Sequence, residues 1–236
     1  MLDLSKRVGA EPGTLCDRLF QNSRSIWERQ FDHPFVEALG NGSLPRENFE
    51  FYILQDARFL EQLTKIFAAG AIASDEPAVM EKMCQLALDT IRVERELHET
   101  FAREFGLTIA QMEATPLAPT NYAYTRHLLS VVNNGTLPEI ITATLPCAWI
   151  YAEIGKHFVS LGDPPADHPY RNWIQTYADP SFEEVGTWLR TTLNRITPED
   201  EKTFRRLDEI FTISSRYEWM FWEMAWTLEA WKPQIS

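Results

Sequence analysis

The chain has 236 residues, 44% of them hydrophobic, with 8 Trp and 14 Phe, which is enough to bury a substantial core in one or two domains. Its 22 Lys and Arg against 34 Asp and Glu leave a formal net charge of −12 and a pI near 4.9. A surface this acidic repels phosphate backbones and anionic bilayers, so the expectation is no nucleic acid and no membrane among its partners.

The dominant period is helical, with Gly and Pro gathered at the seams between apolar-periodic runs. The spacing predicts a first helix from about residue 14 to about 28, then a short one ending at the Gly40-Asn41-Gly42 turn. Pro45 suits the first turn of a long helix that runs through Asp56 and Leu60 to about residue 73. Asp75-Glu76-Pro77 starts the next, which carries through His98 and stops at Gly106. Thr108 and Gln111 have capping-box spacing for a brief helix, and Thr120 opens one that closes at Gly135. Thr136 and Glu139 form a second capping box and start a helix that holds Pro146 and Cys147 and ends near Gly162. Residues 163–169 read as a loop and 170–177 as a shorter helix. Ser181 and Glu184 cap another to about residue 195, and Thr197-Pro198 starts a last long helix to about 231. No segment alternates as a half-buried strand must, and neither a linker nor a fixed-period repeat divides the chain. The expected architecture is a single all-α domain over residues 1–236, built as a helical bundle, with residues 1–12 a poorly ordered N-terminal segment.

Cys16, Cys84 and Cys147 are odd in number and widely spaced, which fits neither a disulfide framework nor a paired-cysteine zinc site. A reducing compartment suits them. The N-terminus lacks the apolar core of a secretory signal, and no apolar run approaches the roughly 20 residues that span a bilayer. A soluble, cytoplasmic protein is expected.

Cys147 carries the most chemical information. It follows Pro146 inside an otherwise continuous helical stretch, Thr144-Leu145-Pro146-Cys147-Ala148-Trp149. A mid-helix proline removes one backbone hydrogen bond and bends the axis, and such bends often aim a side chain. A thiol is a strong nucleophile only as its thiolate, so a buried, inert core cysteine is the competing reading.

Four further places put polar groups on apolar helices. Tyr52, Asp56 and Phe59 fall at i, i+4 and i+7 and share a helical face. An aspartate there is costly unless an Arg or Lys pairs with it or a ligand does. In Asn121-Tyr122-Ala123-Tyr124-Thr125 the two tyrosines point different ways, so one suits the core and the other a wet surface or pocket. Tyr177, ending Trp173-Ile174-Gln175-Thr176-Tyr177, is placed equally well to stack on a planar ligand or to close the core. Glu218 lies in Ser214-Ser215-Arg216-Tyr217-Glu218-Trp219-Met220-Phe221-Trp222. Among those rings, desolvation would prepare it as a general acid, unless Arg216 or another cation neutralises it. Glu94 with His98, and Glu153 with His157, are each four apart and raise a metal site. A di-iron bundle uses Glu-x-x-His instead, so no metal is expected.

Taken together, these segments resemble the thiaminase II family, also called TenA, in its cysteine-containing branch. The likeness runs through Tyr52-Ile-Leu-Gln-Asp56, Tyr122-Ala-Tyr124-Thr125, Leu145-Pro-Cys147-Ala-Trp149, Trp173-Ile-Gln-Thr-Tyr177 and Ser214-Ser-Arg-Tyr-Glu218-Trp-Met-Phe-Trp222, in register from about residue 14 to 231. The resemblance implies a haem-oxygenase-like fold and an aminopyrimidine aminohydrolase of thiamin salvage that works without cofactor and forms homotetramers. It implies that Cys147 is the nucleophile and Glu218 the acid/base. It further implies that Asp56 binds the aminopyrimidine and that Tyr124 and Tyr177 line the pocket. Where the family usually has a tyrosine three residues after the aspartate, this chain has Phe59, which keeps a stacking face and loses a hydroxyl. The implied substrates are small aminopyrimidines or thiamine. Two other readings compete: a pyrimidine-binding regulatory protein without catalysis, motivated by Phe59, and a metal-dependent oxygenase on the same scaffold, motivated by the Glu/His pairs.

Overall fold

The structure is a computed structural model that describes residues 10–106 and 109–233, with the side chains of 93–105, 109, 111 and 113 outside the description. Every regular element among the described residues is helical. In chain order they are α1 (Leu15–Phe31), α2 (Pro34–Asn41), α3 (Arg46–Ile72), α4 (Pro77–Phe105), α5 (Ile109–Ala114), α6 (Pro119–Asn134), α7 (Leu137–Leu161), α8 (Arg171–Ala178), α9 (Pro180–Ile196) and α10 (Glu201–Trp226). None is long and apolar enough to cross a membrane. The chain packs as two compact units. One holds the chain up to Leu44 with Ile141–Trp222, and the other holds Pro45–Ile140 with the chain from Glu223.

The first unit is built around α7, whose residues from Ile141 onward are buried almost continuously. The Trp149 ring lies 5.0 Å from Trp27 of α1 and 6.4 Å from Phe211 of α10. Two residues further along the chain, Tyr151 lies 4.9 Å from both Tyr177 of α8 and Trp222 of α10. Polar groups fix these rings. The Trp27 indole N–H donates to Ser215 Oγ at 3.0 Å, and that of Trp222 donates to Gln30 Oε1 at 2.9 Å. Gln30 and Ser215 are fully buried, so each bond replaces one that water would otherwise make.

In the second unit α3 and α4 form a helical hairpin, and α6 packs on α3. The α3–α6 seam is held by one amide pair. Gln55 Oε1 accepts from the Ala118 backbone N–H at 2.9 Å, and Asn121 Nδ2 donates to the Gln55 carbonyl at 2.7 Å. Asn48 Nδ2 caps the chain's last helical turn through the Ala225 and Trp226 carbonyls, at 2.9 and 2.8 Å.

The local signals place most ends. Thr14 caps α1 by accepting from the Asp17 N–H, and the Glu139 carboxylate accepts from Thr136 N–H at 2.7 Å. Gly42 and Gly106 close α2 and α4 in the left-handed region, at φ +78° and +70°. Five ends differ from expectation. Pro45 precedes the first turn of α3 as its cap, and α6 starts with Pro119 behind Ala118 rather than at Thr120. The carboxylate of Asp179 caps α9 in place of Ser181, because an aspartate followed by Pro180 is the stronger start signal. Asp200 accepts from the N–H groups of Lys202 and Thr203, so α10 starts after Thr197-Pro198. It also ends at Trp226, short of residue 231, where Leu228 turns left-handed and Glu229 N–H bonds back to Met224. Thr108 and residues 1–9 lie outside the described residues, as does the side chain of Gln111, so the expected Thr108–Gln111 capping pair falls there too.

The Gln30 network yields a measurable consequence. Gln30→Leu leaves the buried Trp222 N–H without its acceptor and should lower unfolding free energy by about 1–3 kcal/mol in chemical denaturation.

Candidate functional site

Each unit contributes one cluster of the expected residues. In the first unit Cys147 follows Pro146 on α7, where the proline cannot donate to the Thr142 carbonyl. None of the three cysteines is in a disulfide among the described residues, and they lie in three settings. Cys16 is buried, and burial pushes its thiol up to about 12, with Arg190 pulling weakly the other way. Cys84 stands on the surface, and Cys147 is half-buried. Access and seclusion together favour Cys147 as the reactive one.

Tyr151 is one turn past Cys147 and gathers the rest of this cluster. Tyr177 joins its ring at 4.9 Å, backed by Trp173 at 4.5 Å and Phe182 at 4.7 Å. Trp222 touches Tyr151 and lies one turn past Glu218 on α10. Glu218 itself is buried. Tyr151 was absent from the expected set; its i+4 spacing from Cys147 was the signal, hidden among many aromatics.

In the second unit Asp56 and Phe59 are buried on α3, and Phe59 lies 5.0 Å from the fully buried Tyr124 of α6. Tyr122 takes the other direction, exposed under Arg126 and against Trp231. The Gln55–Asn121 pair that clamps these helices was also unforeseen. Asp56 makes no hydrogen bond or ion pair among the described residues, and the cation two residues on, Arg58, pairs with Glu61. Burial alone raises the Asp56 carboxyl from its ordinary 3.8 to about 7.

The metal reading finds less. Among the described residues no group of three or more His, Cys, Asp or Glu side chains is set to hold an ion. The side chains of Glu94 and His98 lie outside the description. Glu153 accepts from the Trp149 indole at 3.2 Å and from Lys156 at 2.9 Å, and Lys156 also donates to Glu183 at 2.7 Å. Burial raises the Glu153 carboxyl while Lys156 draws it back. Its polar capacity is thus taken up within the fold.

Comparisons with known proteins identify the family and the fold. Residues 20–228 match the model of the TENA/THI-4/PQQC family. The chain belongs to that family. It is 36% identical to the aminopyrimidine aminohydrolase of Halalkalibacterium halodurans over 90% of its own length and 96% of the relative's. A solved TenA homologue from P. horikoshii OT3 superposes with a TM-score of 0.84 at 34% identity, covering 91% of this chain and 99% of the other. A Shewanella denitrificans domain of unknown function with a haem oxygenase-like fold has a TM-score of 0.71 at 12% identity, covering 90% and 92%. The fold of this TENA/THI-4/PQQC member is accordingly all-α and haem-oxygenase-like.

The cost of Asp56 gives a test with a definite sign. Its pKa is higher in the folded chain, so its burial costs nothing below pH ~3.8, and the cost grows through pH ~7 as an unfolded Asp ionises first. The full penalty is of order 4 kcal/mol as an upper bound. Asp56→Asn should therefore raise the melting temperature at pH 8 and leave it nearly unchanged at pH 4, as read by thermal scans at both values.

Proposed function

We propose that this chain is an aminopyrimidine aminohydrolase (thiaminase II). It would convert 4-amino-5-aminomethyl-2-methylpyrimidine and water to the 5-hydroxymethyl pyrimidine and ammonia, and cleave thiamine by the same chemistry, in thiamin salvage. The observation that carries the reading is Asp56: a buried carboxyl, lifted to about 7, with no partner among the described residues. Such a group is stabilised by a ligand that brings its own donors, and the amino edge of an aminopyrimidine does so. Phe59 and Tyr124 add flat faces for an electron-poor ring. The name of the Halalkalibacterium halodurans relative supports the same substrate class.

The chemistry assigned to the chain needs a nucleophile and a proton carrier. Cys147, as thiolate, bonds to the ring carbon beside the one bearing the methylene, and a ring π pair moves to nitrogen, which takes a proton. Glu218 protonates the leaving amine, and that pair returns to expel ammonia and leave an exocyclic methylene. Water bonds to the methylene and gives a proton to the Glu218 carboxylate. The ring nitrogen then returns its proton to solvent as the carbon–sulfur bond breaks, restoring the aromatic ring and the thiolate. No cofactor enters this cycle. Tyr177 closes the pocket in this scheme, and Phe59 keeps ring contact but lacks the hydroxyl that the family resemblance implies at this position. Assembly as a homotetramer and a cytoplasmic location belong to the same proposal.

Ammonia release from 4-amino-5-aminomethyl-2-methylpyrimidine by purified protein tests it directly. The wild type should turn over, Cys147→Ser should be inactive, and Glu218→Gln should lose about 10²–10⁴-fold in kcat. An inactive wild type that still binds the pyrimidine would instead support a binding protein, and full activity in Cys147→Ser would remove the nucleophile assignment.

A further inference from the structure

Gly155 stands in the interior of α7, where glycine costs about 1 kcal/mol relative to alanine. Alanine serves elsewhere in this helix at buried positions, as Ala148 and Ala152 show. The glycine therefore needs a specific packing reason, and α8 supplies it. A Cβ at 155 would overlap the carbonyl carbon and oxygen of Tyr177 and come within 2.6 Å of the Ala178 nitrogen. These are backbone atoms at the end of α8, so no side-chain rotation relieves the overlap.

The place of this contact is what gives it a role. Cys147, Tyr151 and Gly155 are spaced i, i+4 and i+8 and share one face of α7. The Tyr177 backbone sits on the third position and its ring reaches back to the second, 4.9 Å from Tyr151. At the other end of α8, the Tyr170 hydroxyl donates to the Leu44 carbonyl at 2.6 Å and anchors the start of the helix. A push at Tyr177 thus shifts the end of α8, and the ring moves with the backbone that carries it.

We propose that Gly155 is a positioning residue: by presenting no Cβ it lets the Tyr177 backbone settle on α7, which sets where the Tyr177 ring stands and hence the affinity for a flat pyrimidine. The inference rests on the aminohydrolase reading for its ligand, and on the α7–α8 contact for its geometry. Gly155→Ala leaves Cys147 and Glu218 in place, so it removes binding shared by ground and transition states. KM for the aminopyrimidine should rise about ten- to a hundredfold, as expected for a displacement near 1 Å, with kcat within about twofold. Tyr177→Ala should raise KM comparably, and the double variant should be no worse than Tyr177→Ala alone, because both changes act through one ring. A Gly155→Ala chain with unchanged KM, or KM effects that multiply in the double variant, would overturn the inference. So would a Gly155→Ala chain that fails to fold, since the glycine would then serve the core, and so would an unchanged KM in Tyr177→Ala. A crystal structure of Gly155→Ala separates this from the function itself. If the Tyr151–Tyr177 ring separation remains 4.9 Å, the inference fails whatever the enzyme does. If the rings part while the wild type releases no ammonia, the substrate assignment fails and the hold of Gly155 on Tyr177 stands.

Discussion

The burial of α7 is the constraint from which the first unit follows. From Ile141 to Gly155 it offers almost no wet face, so every polar group it carries must be satisfied by protein. Thr144 returns its hydroxyl to the Ile141 carbonyl at 3.0 Å. Glu153 takes Lys156 and the Trp149 indole. Trp149 in turn carries the Arg190 guanidinium 4.5 Å from its ring, and burial lowers the pKa of that guanidinium. Cys147 is different. A thiol is only weakly polar, so it can occupy this helix at little cost and still be half open. A thiol at that place is inexpensive for the fold, which a buried lysine or histidine would not be.

The two buried carboxylates that are best described make the contrast in charge. Glu153 and Asp56 are both desolvated, and burial raises both. Glu153 has a cation and an indole within hydrogen-bond distance, so its charge is compensated inside the fold. Asp56 has neither among the described residues, and the Gln55 side chain next to it is committed to Pro116, Ala118 and Asn121. The Gln55 side chain is thus spent on holding α6, and Asp56 beside it meets no donor among the described residues. Structural economy would have placed an apolar residue there.

Much of this was legible in the sequence, and the exceptions have a common cause. Thr14, Pro77, Gly42 and Gly106 signal their helix ends through chemistry confined to a few neighbouring residues, and the structure uses them so. The end of α10 was misplaced because no Gly or Pro stops the apolar pattern before Pro233. What stops it is Asn48, far away in sequence, capping Ala225 and Trp226. Cys147 and Glu218 were visible as odd residues in apolar runs. That Asp56 lacks a partner was not visible, because it depends on where every nearby cation goes, and Arg58 goes to Glu61. Gly155 was visible only as a poor helix former; its reason is the backbone of another helix.

Asp56 and Gly155 each carry a cost that ordinary core positions lack. An asparagine at 56 would remove a desolvated charge, whereas an alanine at 155 would recover backbone entropy only by overlapping the Tyr177 backbone. A position that a fold selected only for stability would have replaced, as at 56, is where specific recognition is expected. The two costs are also of different kinds. The desolvation at Asp56 is electrostatic, so a donor that arrives after folding can offset it. The cost at Gly155 is conformational and is met once, in folding, so it can only fix where the neighbouring backbone rests. The first belongs to α3 within its unit and the second to the α7–α8 contact within the other.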